Sequence, residues 1–341
     1  MIIDWIQHKM RFMVQYGSKI VNFNGSKRDD KLKMNEIFRI KLKDEDRSPF
    51  APLYIAGKKR TATATGVRFI NDHRVVIANL VAARLYLFDI DIKSKKHTLL
   101  DDIDCLLDSS LNFPDLIDFD GKDRIVCSYF MPGAQAIFRL SDHKLTQINE
   151  IDKLVEYKQF CHGVRFHPID KDVIVTTGNK TGIVNFVHIE KREIVRQISY
   201  ISDFIPKDMC FVTPNKLLVI YTTSKIGREN VKQLNVVAHV VLFELHEDHE
   251  DVLNVYEQPD CHIDSMCIFE DLIFFQDQNT DSITVLKLKN DQLTFVGKSH
   301  GFDFPHGLDA RKIDQKIVLA VTNYGDNTVR FLNVEYQKQE M

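Results

Sequence analysis

The sequence has no apolar run long enough to cross a membrane as a helix, so we expect no membrane-spanning segment. Asp4, His8 and Lys9 lie where a secretory signal would be apolar, which argues against export. Blocks of basic residues and acidic tails are also absent, and the net charge of −3 arises from interspersed charges of both signs. This pattern argues against a nucleic-acid partner.

Several catalytic motifs are missing as well. The chain contains no Gly-rich phosphate loop of the Walker or dinucleotide type, no Gly-x-Ser-x-Gly elbow and no His-Glu-x-x-His helix. Its 6 cysteines, at positions 105, 127, 161, 210, 261 and 267, do not follow the spacing of a small disulfide scaffold. We therefore predict reduced thiols and a cytoplasmic protein, outside the commonest enzyme classes.

What the sequence does contain is a strand–turn–strand unit, which is clearest at Val318–Val334. Val318–Val321 is an apolar run rich in β-forming residues, and Asn323–Asn327 has the composition of a turn. An apolar pattern then resumes in Thr328–Val334. Two short strands joined by such a turn predict an antiparallel hairpin.

Weaker copies of this unit recur upstream, each introduced by a short opening segment. The opening at Phe304–Asp309 returns as Cys161–Phe166, and in degraded form elsewhere. The aligned positions are Thr65, Pro114, His162, Pro206, His262 and His306. A period of about 40 to 50 residues is typical of the four-stranded blades of a β-propeller.

The repeats predict an all-β fold, a six-bladed β-propeller of four-stranded antiparallel blades. The sixth copy lacks a fourth strand, and an unpaired edge promotes aggregation, so we predict that Ile37–Leu42 supplies it. The expected domains are an N-terminal extension or cap, 1–35, and the propeller, 36–341, in which 36–43 is the closing strand. Seven blades are the alternative, if Met1–Phe23 builds another sheet.

A resemblance to a known superfamily supports this prediction. Val321–Val329 (VTNYGDNTV) resembles the repeat of the YVTN/lactonase-like β-propellers, and Cys161–Pro168 (CHGVRFHP) resembles the loop that opens each of their blades. The repeats cover about Thr65–Tyr336. The resemblance implies a propeller architecture, and it implies little about activity because propellers have many unrelated functions.

The aligned positions suggest one candidate site. The innermost strands of a propeller line a central channel, so residues that open them converge on the axis, and three of these are histidines. The predicted metal ligands are His162, His262 and His306. Imidazoles that converge from separate strands can hold a divalent ion, for which Zn, Mn and Ca are the candidates.

Acidic and basic residues close to the aligned positions could take part in catalysis. The candidates are Asp115, Asp208, Asp264 and Arg165. An aspartate could act as a ligand or base, and the arginine could hold a substrate carboxylate. The alternative is structural: the histidines and aspartates cap backbone groups of the next blade, the neighbouring glycines permit tight turns, and the arginine bonds to backbone carbonyls.

Two long connections and one charged turn are further candidates. Asp44–Thr63 and Tyr221–Val236 are long for a compact domain, and such loops often bind ligands. Lys58–Arg60 could attract an anion, or could be a solvated run of charge. We interpret His246–Asp251 (HEDHED) as a solvated turn, because metal ligands on loops need a rigid, converging frame.

Two functions remain open at this point. The first is a cytoplasmic binding or interaction propeller that uses the loop-rich mouth of its channel, with a protein or a small carbohydrate-like ligand as partner and no certain cofactor. The second is a metal-dependent lyase or lactone hydrolase that acts on a sugar-acid-like substrate at that mouth. Stoichiometric metal in purified protein would favour the second function.

Overall fold

The computed structural model describes residues 20–22, 32–43, 53–55, 58–60, 62–105, 113–130, 133–151, 161–178, 181–223 and 232–336. None of these residues lies in a helix, so none belongs to an apolar helix of membrane-spanning length. Six four-stranded antiparallel sheets form the blades of a ring, which confirms the predicted six-bladed propeller. Most of the predicted N-terminal extension lies outside the described residues.

The first three blades follow one another along the chain. Blade 1 contains β5 (Ala64–Asn71), β6 (Arg74–Asn79), β7 (Arg84–Asp91) and β8 (Lys96–Asp104). Blade 2 contains β9 (Pro114–Phe119), β10 (Arg124–Tyr129), β11 (Gln135–Ser141) and β12 (Lys144–Ile151). Blade 3 contains β13 (Cys161–Phe166), β14 (Val173–Gly178), β15 (Ile183–His188) and β16 (Glu193–Ser199).

The last three blades include strands from the N-terminal part of the chain. Blade 4 contains β17 (Ile205–Thr213), β18 (Lys216–Thr222), β19 (Val237–Leu245) and β20 (Glu250–Pro259), with β1 (Ile20–Asn22) added in parallel beside β20. Blade 5 contains β21 (Met266–Phe269), β22 (Leu272–Asp277), β23 (Ser282–Lys289) and β24 (Gln292–His300). Blade 6 contains β25 (Pro305–Ile313), β26 (Lys316–Asn323), β27 (Thr328–Tyr336) and β2 (Leu32–Lys41). A separate hairpin pairs β3 (Leu53–Ile55) with β4 (Lys58–Arg60).

The N-terminal strand β2 closes the ring, as predicted. It pairs antiparallel with β27 from Leu32↔Tyr336 to Lys41↔Thr328, and it is longer than the predicted strand, which began at Ile37. Ile40 is buried, and the ring of Phe38 stacks on that of Phe331 at 4.6 Å. The outer edge of blade 6 is therefore covered by the chain's own N-terminal part.

Hydrophobic cores lie between neighbouring blades. The central strands bury side chains on both faces, and all six residues of β14 and of β22 are buried. One core joins blades 6 and 1, where Phe69 meets Phe331 edge-on at 6.1 Å, and five similar cores join the other neighbours. Burial of these apolar surfaces drives the blades together.

Three glycines allow the inner strands to converge. A Cβ atom on Gly307 would lie 2.1 Å from the carbonyl oxygen of Thr65, one on Gly163 would lie 2.8 Å from that of Lys207, and one on Gly66 would lie 2.6 Å from that of Asp115. Each of these oxygens belongs to the next blade, and none of these glycines has a positive φ. The glycines are thus needed for close approach of backbones, and not for the tight turns that we expected.

The two ends of the ring carry different connections. At one end, which we call the turn face, many strands are joined by two-residue turns, at 72–73, 142–143, 214–215, 270–271, 290–291 and 314–315. At the other end, which we call the long-loop face, lie the strand ends that are separated by the longest stretches of sequence: 42–63, 105–113, 152–160 and 223–236. The inner strand of every blade begins at the long-loop face; these strands are β5, β9, β13, β17, β21 and β25. The residues that open the blades therefore lie at that end of the ring.

Candidate functional site

Six ionisable side chains meet where the inner strands begin. They come from five blades, and each side chain is at most 4 % exposed. This axial cluster comprises Asp115, His162, Lys207, His262, Asp264 and His306. The structure thus brings together the three predicted histidines and two of the predicted aspartates, and it adds a lysine.

Two carboxylates connect the members of the axial cluster. Asp115 lies between two histidines, with its Oδ2 at 3.3 Å from His162 Nε2 and its Oδ1 at 3.6 Å from His306 Nε2. Asp264 Oδ1 lies 3.7 Å from His162 Nε2, 3.6 Å from His262 Nε2 and 3.2 Å from Lys207 Nζ. His162 therefore faces both carboxylates and links the two halves of the cluster.

Aromatic rings cover one side of the histidines. The ring of His306 stacks between those of His162, at 5.2 Å, and Tyr324, at 5.0 Å, and Phe130 meets His162 edge-on at 6.1 Å. Tyr324 in turn belongs to a small apolar cluster that includes Leu80, Val81, Phe113 and Phe304. These groups exclude water from the site, and this strengthens electrostatic interactions inside it.

Burial sets the ionisation of the cluster. It lowers the pKa of His306 to about 4, against the opposing effect of the Asp264 carboxylate, and it lowers the pKa of His162 well below its usual value. Burial also acts to raise the pKa of Asp264, but the Lys207 ammonium and His262 hold that pKa well below its ordinary range. At neutral pH the imidazoles of His162 and His306 are therefore uncharged, and Asp264 is a carboxylate.

Several polar atoms in the cluster have hydrogen-bonding capacity to spare. Within the described part of the chain, His162 Nδ1, both ring nitrogens of His262 and both carboxylate oxygens of Asp264 are buried without a hydrogen-bond partner. Each such group costs about 1–3 kcal/mol when it stays unsatisfied. An ion, a water molecule or a polar ligand that reached these atoms would recover that cost.

Acid should destabilise the metal-free protein. In the unfolded chain His306 titrates near 6.5 and in the folded protein near 4, so the unfolded state takes up the proton first as the pH falls. The contribution of His306 to stability is therefore complete above about pH 6.5 and is lost towards pH 4, on the order of 3 kcal/mol in all and about 2 kcal/mol by pH 5. Urea unfolding at pH 7.5 and at pH 5 measures the loss, which His306→Gln should reduce. A stability that does not change between these pH values would contradict the prediction.

The predicted Asp208 and Arg165 lie outside the axial cluster and pair with each other. Arg165 Nη2 donates to Asp208 Oδ2 at 2.6 Å and to the carbonyl oxygen of Met266 at 3.2 Å. Asp208 also accepts from the backbone N–H of Met266 and from the hydroxyl of Ser265. These contacts join blades 3, 4 and 5, which favours the structural alternative for Arg165.

Arg68 has the same role on the opposite side of the ring. It donates to the carbonyl oxygen of Ile117 at 3.0 Å and to Asp309 Oδ1 at 2.8 Å, and its Nε lies 3.0 Å from Asp118 Oδ1. Blade 1 is thereby joined to blades 2 and 6. The two arginines hold the inner strands, and hence the axial cluster, in position.

The strand register shows that the position aligned between the internal repeats at Pro114 was wrong by one residue. Three residues occupy the same pairing position at the start of their inner strands: Pro114 pairs with Tyr129, Cys161 with Gly178, and Pro305 with Asn323. The residue that shares the position of His162 and His306 is therefore Asp115, one residue after the aligned Pro114. Sequence reasoning also missed Lys207, although a lysine next to an aligned position in a buried inner strand was a usable signal.

A second group of potential metal ligands lies on the turn face, at the rim. In the turn 246–249 and the start of β20, His246 stacks on His249 at 4.4 Å, and His246 Nε2 lies 3.4 Å from Asp251 Oδ2. Arg196 of blade 3 donates to the carbonyl oxygens of both histidines and holds the turn. His249 and Asp251 are exposed, as the solvated-turn interpretation expected.

The cysteines do not contribute to the axial cluster. All six are free and buried. The thiol of Cys161 lies 3.1 Å from the amide nitrogen of Gln135, and burial raises its pKa to about 12. Burial also raises the pKa of Cys261 well above its usual value. Neither thiol, each adjacent to a cluster histidine in sequence, is available as a thiolate ligand.

Comparisons with known proteins show the fold and no closer relationship. No protein-family model matches the chain, and no curated protein matches its sequence. Among solved structures it is similar to the β-propeller domain of Cps50 (Swd1) from Myceliophteria thermophila, with a TM-score of 0.52 and 10 % sequence identity. The match covers 83 % of this chain and 85 % of that one. Membership of the YVTN/lactonase-like superfamily stays a prediction.

Proposed function

We propose that this protein is a cytoplasmic binding propeller that recognises a protein partner with its long-loop face. The observation that carries the proposal is Leu234, a large apolar side chain that is 90 % exposed on the insertion 223–236 of that face. An apolar side chain of this size, held exposed, offers a contact that a partner can bury. The six free cysteines support a reducing compartment.

The neighbouring residues of Leu234 are held against blade 5. The backbone N–H of Gln233 donates to Asn279 Oδ1 at 2.9 Å, and Asn279 Nδ2 donates to the carbonyl oxygen of Gln233 at 2.6 Å. Lys232 pairs with Asp281 at 2.6 Å. These contacts fix the backbone on one side of Leu234, so a partner loses little entropy when it binds there.

The turn face supplies a matched control. Ile169, in the connection 167–172, is 72 % exposed, so it resembles Leu234 in chemistry and exposure but lies at the opposite end of the ring. Both side chains can be replaced by a charge without disturbing a core. Any difference between the two variants therefore reports the function of the face and not the stability of the fold.

Leu234→Asp is expected to abolish partner binding, and Ile169→Asp is expected to preserve it. The full chain carrying either substitution, or neither, would be purified from its native cells, and the co-purifying proteins would be quantified by mass spectrometry. We expect a defined set of proteins to fall about tenfold or more with Leu234→Asp alone, because a charge in a buried hot spot costs at least about 2 kcal/mol. Equal effects of the two substitutions would contradict the proposal.

The alternative function, an enzyme that acts on a small ligand, requires a metal ion in the protein. A metal-dependent lyase or lactone hydrolase needs an ion in the channel, and a carbohydrate-like substrate would have to reach it. The buried, unsatisfied atoms of the axial cluster favour this alternative. Untagged protein without metal by elemental analysis would exclude this alternative, whereas bound metal is compatible with both functions.

A further inference from the structure

Three members of the axial cluster have the arrangement of metal ligands. Asp115, His162 and His306 offer one carboxylate oxygen and two ring nitrogens, and these atoms all lie within 4.8 Å of one another. They come from β9, β13 and β25, in blades 2, 3 and 6. Strands of three separate sheets, packed at the hub of the ring, give the rigid frame that a metal site requires.

The distances within this triad fit a shared ion better than direct hydrogen bonds. Asp115 lies 3.3 Å from His162 Nε2 and 3.6 Å from His306 Nε2, whereas a charge-assisted hydrogen bond is about 2.7–2.9 Å long. Two ligands at about 2.0–2.1 Å from a tetrahedral zinc ion are about 3.3–3.4 Å apart. The two separations between Asp115 and an imidazole nitrogen, one from each carboxylate oxygen, are therefore close to the edge of a zinc coordination polyhedron.

The residues around His306 orient its imidazole so that Nε2 is the nitrogen available to a metal ion. Its Nδ1 lies 3.3 Å from the carbonyl oxygen of Thr65, so that nitrogen carries the proton and leaves the electron pair on Nε2, which faces Asp115. The adjacent ring of Tyr324, nearly parallel at 17°, limits rotation of the imidazole. The same carbonyl oxygen accepts from Thr322 at 2.7 Å, so it is fixed in its turn.

We propose that Asp115, His162 and His306 bind one divalent transition-metal ion of the zinc class at the axis of the ring. Two imidazole donors favour such an ion over calcium, which takes six to eight oxygen ligands. Three protein ligands leave a coordination position for water or for a ligand group, as in catalytic zinc sites. The site differs from the predicted one in using Asp115 in place of His262.

The other half of the axial cluster balances the charge beside the site. Asp264 lies 3.7 Å from His162 Nε2 and 3.2 Å from Lys207 Nζ, so its negative charge is largely matched by the ammonium. Asp115, which lies beside both His162 and His306, offers the carboxylate oxygen for the ion. His262 Nε2 lies 3.6 Å from Asp264 Oδ1, so this imidazole belongs to the same half of the cluster.

Metal titration of the full chain tests the proposal. Untagged protein would be freed of metal with a chelator and titrated with zinc chloride by calorimetry, and cobalt chloride would be added separately to record the visible spectrum. We expect one zinc equivalent with a micromolar or tighter dissociation constant and the absorption bands of low-coordinate cobalt. No binding, or a cobalt spectrum of the hexa-aquo ion, would overturn the proposal.

Paired variants assign the ion to the axis. His162→Gln and Asp115→Asn should each weaken zinc binding at least a hundredfold, whereas the double variant His246→Gln/His249→Gln, which removes the rim group, should retain it. The opposite result would place the ion at the rim and overturn the proposal. If an axial variant fails to fold, the double variant at the rim remains decisive, because loss of zinc binding in it would overturn the proposal.

The test is separate from that of the proposed function. Leu234→Asp should leave zinc affinity unchanged, because Leu234 is no part of the axial cluster. A protein that binds zinc and shows no partner would refute the proposed function only. A protein that binds its partner and no metal would refute the metal site only.

Discussion

Replacing Asp208 with alanine is expected to lower the free energy of unfolding by about 3–5 kcal/mol, because it leaves a buried arginine without its counter-charge. The side chain of Asp208 is fully buried and that of Arg165 is only 6 % exposed. Asp208 accepts hydrogen bonds from Arg165, from Ser265 and from the backbone of Met209 and Met266. Its removal thus takes away an acceptor that four donors share at the junction of blades 3, 4 and 5.

An exposed ion pair of good geometry provides the control. Asp291 bonds to Lys216 at 2.7 Å through both carboxylate oxygens, but it is 41 % exposed. Asp291→Asn, which keeps a side chain that tolerates the positive φ of this position, should therefore cost about 1 kcal/mol or less. Urea unfolding followed by circular dichroism measures both variants.

A double variant separates the lost charge from the lost packing. Arg165→Met with Asp208→Leu removes both charges and keeps apolar volume, so it should recover part of the stability that Asp208→Ala loses. If Asp208→Ala costs no more than Asp291→Asn, the proposed role of this ion pair at the hub is wrong.

The architecture could be predicted from the sequence because each blade repeats the same local chemistry. An apolar run, a turn and a second apolar run recur, and a unit that cannot bury its faces alone must stack on copies of itself. The missing fourth strand of the last blade then required a donor, and Ile37–Leu42 was the nearest candidate. The strand β2 observed beside β27 confirms this reasoning.

The candidate site could be predicted only in part, because the relevant information is the register of strands. A shift of one residue along an inner strand exchanges the side chain at the axis for one between blades. The irregularities in the pairing of β9, β13 and β25 occur close to these positions, and the sequence does not show them. The histidines could be predicted from their recurrence in the repeats. The role of Lys207, and the equivalence of Asp115 and His162 in their strands, could be seen only in the structure.

The roles of the glycines and arginines were hidden for a related reason. Position 307 must be glycine because the carbonyl oxygen of Thr65, far away in the sequence, lies where a Cβ atom would be. Arg68 likewise donates to Asp309, which belongs to the last blade. Local patterns show which residues can form a turn or an ion pair, but not which distant backbone lies beside them. Contacts between the first and last blades depend on ring closure, and they become visible only once the ring is assembled.

Removal of residues 1–43 is expected to abolish cooperative folding. The described part of this segment places Phe38, Ile40 and Leu42 in the core between blades 6 and 1, and each contributes about 1.5–3 kcal/mol by burial. Their sum approaches the whole stability of a typical domain, about 5–15 kcal/mol. The deletion also exposes the edge of β27 along its full length, and a long unpaired edge promotes aggregation.

Rescue in trans makes this prediction specific to the closing strand. A synthetic peptide of residues 32–43 should restore a soluble, cooperatively unfolding protein, because Leu42 exchanges two hydrogen bonds of 3.1 Å with Asn327 and thereby sets the register. The same peptide carrying Ile40→Asp should fail, since it would bury an unpaired charge. Light scattering and urea unfolding of the truncated chain, with and without each peptide, measure the outcome. A truncated chain that folds alone, or responds equally to both peptides, would show that closure by β2 does not hold the ring together.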